Sequence, residues 1–286
     1  MIEISNLNFH YSRKIRLFED LSLTLNNGLI YGLLGKNGAG KTSILKLISG
    51  LLLPQKGGCI VNGRNTIDKD PQFLTGIYFL PENSFLPGIK IKEYVGIYSC
   101  FYPSFDETAF LKYLVDFEIE KDRKLSALSY GQKKKFSIAF ALAANTKVLL
   151  LDEPTNGLDI PAKSVFRKLV ASAINDEKIF IISTHQVRDV KNLIDQIIVL
   201  DKGEVIFNQS NYAIEEKLSM YLQKNEPEPG EALFYESTLG GFAVLTRKNE
   251  DTESEIEIEL LFNSIVAENS IVRKIFEIEV KNEQSV

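Results

Sequence analysis

The residues most able to do chemistry are Gly35, Lys36, Asn37, Gly38, Ala39, Gly40, Lys41 and Thr42, with Ser43 next in line. The spacing of the glycines, the lysine and the following hydroxyl is that of a phosphate-binding loop. Small side chains let successive backbone N–H groups curl around the β- and γ-phosphates of a nucleotide, and a helix that starts there adds its dipole. Lys41 would neutralise phosphate charge, and Thr42 offers a hydroxyl to Mg²⁺. A second signal is Asp152 followed by Glu153, directly after the apolar run Val148, Leu149, Leu150 and Leu151. An aspartate at the end of a buried strand beside a phosphate loop can hold Mg²⁺ through water. The glutamate one residue on is placed to polarise an attacking water as a general base.

The elements that must position these groups are legible in the hydropathy pattern. Leu29–Leu34 is a continuous apolar strand that runs into the glycine-rich loop and then into a helix ending near Gly50. Further buried strands are expected at 147–151 and 179–183, separated by a helix from about Ala162 to Ile174. Strands that alternate with helices imply a parallel sheet covered on both faces. Ahead of them, alternation in Ile2–Phe9 and Leu21–Leu25 predicts an antiparallel hairpin. Residues 84–144 read mostly as helix, with breaks at Pro87, Gly88 and Pro103, so a helical insertion is expected between the loop and the second buried strand. Ile197–Leu200 and Glu204–Phe207 read as a second hairpin that closes this unit. A helix is expected over about Tyr212–Leu222, and Asn225–Gly230, with Pro227 and Pro229, reads as a linker. Beyond it, alternation at Phe242, Val244 and Thr246, and again at Ile256, Ile258 and Leu260, predicts small strands plus a helix. The expected fold class is therefore α/β: a phosphate-loop core with a mixed sheet, an N-terminal antiparallel β subdomain and a helical insertion, and a small α+β C-terminal domain. The domains read as 1–222, a linker at 223–230, and 231–286.

Composition narrows the partners. The 286 residues carry a formal net charge of −5 and are 44% hydrophobic, which describes a globular chain and excludes collagen-like, disordered or mucin-like material. The charge is unevenly spread: residues 224–286 hold 14 acidic against 6 basic side chains, whereas residues 1–223 hold 24 against 27. No basic excess marks a nucleic-acid binder. No run approaches the roughly 18 apolar residues of a membrane span, and the N-terminus lacks the pattern of a secretory signal, so residence in the cytoplasm is expected. The two cysteines, Cys59 and Cys100, suit a reducing compartment as buried or incidental thiols.

Three further runs complete a recognisable order behind the loop: Leu128, Ser129, Tyr130, Gly131 and Gln132; Val148 through Asp159; and Ser183, Thr184 and His185. In order and spacing, residues 1–208 resemble the nucleotide-binding subunit of an ATP-binding-cassette transporter. The resemblance implies an Mg²⁺-dependent ATPase of bacterial type whose permease is a separate chain. It implies that Leu128–Gln132 is the signature motif, that Ser129, Gly131 and Gln132 bind ATP held by an opposite cassette, and that Asp159 belongs to the D-loop. It also implies that His185 is the switch histidine, that Tyr11 stacks on adenine, and that Glu82 takes the Q-loop position as a metal ligand beside Thr42 and Asp152. Read without the family, Ser129 and Gln132 form a capping box at a helix start, and such a start is also an anion site.

Two positions depart from the family pattern. Tyr130 stands where a glycine is usual, leaving close approach to phosphate to Gly131. Glu82 replaces glutamine and adds negative charge near Glu153. The run Leu80, Pro81 and Glu82 is similar to a branch of bacterial transporters that are often exporters. The expected partners are an integral-membrane permease and a second cassette, as homodimer or heterodimer, with no nucleic acid. The alternatives are a soluble cassette ATPase acting on ribosomes or DNA, and a regulatory cassette with little turnover.

Overall fold

The computed structural model describes residues 1–12, 15–248, 256–268 and 270–276. Strands β1 (Ile2–Ser12), β2 (Ile15–Leu25), β4 (Lys56–Val61) and β5 (Arg64–Asn65) form an antiparallel sheet in the order β2-β1-β4-β5. A six-stranded sheet is built from β3 (Leu29–Leu34), β6 (Ile77–Leu80), β7 (Val148–Asp152), β8 (Ile179–Thr184), β9 (Gln196–Asp201) and β10 (Glu204–Ser210). Its order is β10-β9-β3-β8-β7-β6; neighbours are parallel except β9 and β10, which close one edge as the expected hairpin. Helices α1 (Lys41–Ile48) and α2 (Pro71–Thr75) precede the helical insertion of α3 (Ile91–Tyr98), α4 (Glu107–Asp116) and α5 (Tyr130–Ala143). Helix α6 (Ile160–Ala173) links β7 to β8. Among the described residues no helix is long and apolar enough to cross a membrane.

Period-two alternation splits the central strands between two cores. Tyr31 and Leu33, Val148 and Leu150, Ile179 and Ile181, and Ile198 and Leu200 pack with the antiparallel sheet and α1. Their neighbours Ile30 and Leu34, Leu149 and Leu151, Phe180 and Ile182, and Ile197 and Val199 pack with α4, α5 and α6. The sheet is thus buried on both sides, which is why its strands read as unbroken apolar runs.

The C-terminal part differs from expectation in three places. Helix α7 (Asn211–Lys217) is shorter than predicted, and Leu218–Gln223 is instead strand β11, paired with β13 (Gly241–Arg247) and followed in that sheet by β12 (Phe234–Thr238). Cross-strand pairing of Met220 with Leu245 and of Leu222 with Ala243 overrides local helix propensity there. Asn225–Gly230, expected as a linker between units, therefore lies between two strands of one sheet. The alternation Ile256, Ile258, Leu260 ends not in a strand but in α8 (Ile258–Val266), whose Ile258, Leu261 and Ile265 face inward at helical spacing. Strand β13 carries the predicted Phe242, Val244 and Thr246. The remainder of the predicted acidic tail, at 249–255 and 277–286, lies outside the described residues. Ala243, Leu245, Ile256, Leu261 and Ile265 share a core with Val190, Leu193, Ile197 and Ile214.

Candidate functional site

Register places the candidate residues in a row. Leu34 lies opposite Thr184, Ser183 opposite Asp152, and Leu151 opposite Leu80, so β3, β8, β7 and β6 end together at one sheet edge. The next residues in each chain segment are Gly35, His185, Glu153 and the Glu82 loop. Ligand sites in open α/β sheets form at this carboxyl edge, where successive strands are carried to opposite sides.

The phosphate loop leaves its helix open. Gly40 is the N-cap of α1, at φ +111°, with no side chain to cap the first amides. A Cβ at Gly40 would also meet the Phe18 ring at 2.8 Å. Lys41 is buried, and its Nζ donates to the carbonyls of Gly35 at 2.7 Å and Lys36 at 3.4 Å. The Glu153 carboxylate lies 3.9 Å from the same ammonium. Burial pulls the Lys41 pKa below its ordinary value, and Glu153, Asp152 and Glu82 act against that shift. The lysine is therefore a desolvated charge waiting among carbonyls, the state in which an anion is attracted most strongly.

Asp152 is buried and accepts hydrogen bonds from Thr42 Oγ1 at 2.8 Å and Ser183 Oγ at 2.5 Å. Glu153 sits at φ +46°, a backbone region that costs energy for a non-glycine residue and recurs at functional sites. Its N–H donates to the Ser183 carbonyl at 3.0 Å, which fixes the carboxylate just beyond the strand. Glu153 Oε1 lies 2.8 Å from His185 Nδ1, and Oε2 accepts the His185 backbone N–H at 3.4 Å. Glu82 Oε1 accepts from Asn156 Nδ2 at 3.0 Å. Thr42 and Asp152, hydrogen-bonded to each other, present oxygen donors that fit a hard divalent cation such as Mg²⁺ that keeps several of its waters, whereas the contact made by the Glu82 carboxylate is with Asn156.

Other predicted residues fall farther out. Tyr11 is exposed, but its hydroxyl shares a 2.9 Å hydrogen bond with Ser43 Oγ, so it stands beside α1. Ser129 Oγ accepts the Gln132 N–H at 3.2 Å and Gln132 Oε1 accepts the Ser129 N–H at 3.1 Å: the capping box is formed, and these two side chains bond to each other's backbone. Tyr130 lies over the next loop, where a Cβ at Gly157 would come within 2.4 Å of its ring. Asp159 caps α6 by accepting the Ala162 N–H at 2.8 Å and pairs with Lys135 at 3.3 Å. The Ala162 N–H is the main cause of its depressed pKa. Three residues to which the sequence assigns no role also enter the site: Ser183, Asn156 and Lys134. Ser183 and Asn156 stand inside the runs that carry the resemblance, Ser183 as the polar end of a buried strand; nothing in local pattern marks Lys134.

This layered α/β fold with its open phosphate loop defines a phosphate-loop ATPase of the cassette type. The family model described as ABC transporter matches residues 18–156. The ABC transporter ATP-binding protein YtrB of Bacillus subtilis (strain 168) is 32% identical over 192 residues, 66% of this chain and 65% of its own length. NatA, another ABC transporter ATP-binding protein of that organism, is 30% identical over 206 residues, 68% of this chain and 81% of its own length. The dimeric cassette MJ0796 in a post-hydrolysis state, bound to ADP and Pi, superposes with a TM-score of 0.63 at 25% identity, over 73% of this chain and 98% of that one. The chain belongs to the ABC transporter family and is an ATP-binding cassette subunit.

Proposed function

We propose that this chain binds Mg-ATP at Gly35–Ser43, pairs head to tail with a second cassette, and by closing and reopening drives a separate membrane permease, in the export direction, from the cytoplasmic face of the membrane. The observation that carries this reading is the 2.8 Å contact between Glu153 and His185 at the same sheet edge as Lys41 and Thr42. Backbone amides of the loop and the Lys41 ammonium hold the β- and γ-phosphates, and Tyr11 offers its ring to the base. Glu153 takes a proton from the attacking water, and His185 orients Glu153 and the γ-phosphate. Thr42, Asp152 and Glu82 would hold Mg²⁺, which when bound neutralises charge developing on the phosphates. Ser129, Gly131 and Gln132 present a capped helix start to the γ-phosphate of the opposite cassette, with Asp159 at the same face. Residues 1–217 form the cassette, and the sheet that begins at Leu218 is an accessory unit packed on it. Dimerisation makes turnover depend on two chains, and the MJ0796 dimer bound to ADP and Pi supports that geometry.

The test is a steady-state ATPase assay with and without Mg²⁺, comparing the native chain with Glu153→Gln. Hydrolysis should require Mg²⁺ and the glutamate; equal rates would sink the catalytic reading. A cassette with little turnover remains the second reading, favoured by Glu82 at the metal position and by Tyr130 lodged over Gly157. A near-zero rate for the native chain, with ATP binding intact, would select it.

A further inference from the structure

Lys134 is a buried cation at the rear of the site. It lies in the second turn of α5 and is 5% exposed. Its Nζ donates to the Glu82 carbonyl at 2.8 Å. The carboxylates of Glu82, Asp152 and Glu153 all act to hold its charge, against the desolvation that works to remove it. Glu82 is gripped from two directions, its carbonyl by Lys134 on α5 and its carboxylate by Asn156 on the loop after β7. The same three carboxylates act on the Lys41 ammonium, so before Mg-ATP arrives the positive charge they oppose is shared by two buried lysines, Lys41 and Lys134. Buried charges persist only where opposite charge and hydrogen bonds compensate them.

We propose that Lys134 is a positioning residue of the hydrolysis site: it holds the Glu82 loop from behind and supplies the positive charge that allows a carboxylate to stand there beside Asp152 and Glu153. This rests on the hydrolytic reading above. The consequence is a specific coupling. Removing Lys134 strands the Glu82 charge, whereas removing both charges restores the balance and leaves an amide oxygen at position 82.

The experiment is a double-mutant cycle in the full chain with Lys134→Met, Glu82→Gln and the pair together, plus Lys134→Arg as the conservative variant. The readouts are kcat and KM for Mg-ATP and the thermal melting midpoint without nucleotide. Lys134→Met should lower kcat about 10-fold or more with KM changed less than about threefold, and should lower the melting midpoint. The pair should recover the part of both losses that comes from the stranded charge, the Glu82 carbonyl still lacking its donor, and Lys134→Arg should retain most of the native kcat. A pair no better than Lys134→Met in both readouts overturns the proposal, as does a Lys134→Met chain indistinguishable from native. If Lys134→Met yields no folded protein, recovery of folded protein in the pair supports the coupling and its absence overturns it. If the native chain proves unable to hydrolyse ATP, the hydrolytic reading falls, and the melting midpoints alone decide whether Lys134 and Glu82 are coupled.

Discussion

The helix starts of α1 and α5 are built in opposite ways. Helix α1 begins at Gly40, whose lack of a side chain leaves the first-turn amides uncapped, and it lies among buried Lys41, Asp152 and Glu153. Helix α5 begins at Ser129, closed by a capping box with Gln132, and its next residue, Tyr130, is 56% exposed. An uncapped helix end is less stable by itself and needs an anion to complete it. A capped end is stable alone and keeps only its Tyr130 and Gly131 amides for a visitor. The contrast teaches that one chain carries a helix start left uncapped among buried charges and, separately, a helix start whose own side chains complete it; under the proposed function the first is the phosphate cradle and the second meets phosphate only across the interface with another cassette.

The sharpest way to break this contrast is Lys41→Ala, which should weaken nucleotide binding about 100-fold or more in a fluorescent-nucleotide titration, because a desolvated charge-assisted contact is lost. Glu153→Gln should retain binding while lowering kcat by about 10² to 10⁴, the range for loss of a general base. In excess ATP it should elute as a dimer on a sizing column; a monomer there would count against the head-to-tail arrangement. Ser129→Ala should leave the affinity of the isolated chain for nucleotide unchanged yet cut turnover about 10-fold, with a helix-cap loss of about 1 kcal/mol visible in denaturant unfolding. Reduced affinity in the monomer would mean that the two helix starts are not separate sites. The smallest effect is expected for Arg188→Ala, on the other side of the histidine turn. Its guanidinium pairs with Glu257 at 3.3 Å and Glu259 at 2.7 Å but is 73% exposed, so unfolding should change by less than about 1 kcal/mol and ATPase rate by less than twofold.

Much of this arrangement was legible from pattern. The strands 29–34 and 179–183 were found almost to the residue because a sheet covered on both faces demands apolar side chains at every position, a signal that needs no tertiary information. The phosphate loop was equally plain, since its glycines answer a backbone requirement written in residue type. Strand β11 was misread because Leu218 to Gln223 carries no strong propensity, and only pairing with β13 decides it. Strand β4 is hidden for a similar reason: Lys56, Gly57 and Gly58 are poor strand formers, yet the segment they open completes the sheet beside β1. In α8, a short alternating stretch and the start of an amphipathic helix share the same apolar residues.

Local chemistry, in sum of its parts, resides in residue types and short spacings: the loop that meets phosphate, the acid pair after a buried strand, the capped helix start. These depend on backbone conformation and on neighbours within a few positions, so a linear reading reaches them. Which of those parts touch was decided by the fold. The sheet order sets β8 between β3 and β7, and so brings His185 to Glu153 and Ser183 to Asp152. The packing of α5 behind that edge delivers Lys134 to Glu82, 52 positions away in the chain. Long-range contacts of this kind come from burial of whole faces, a property of the assembled layers that no segment carries alone.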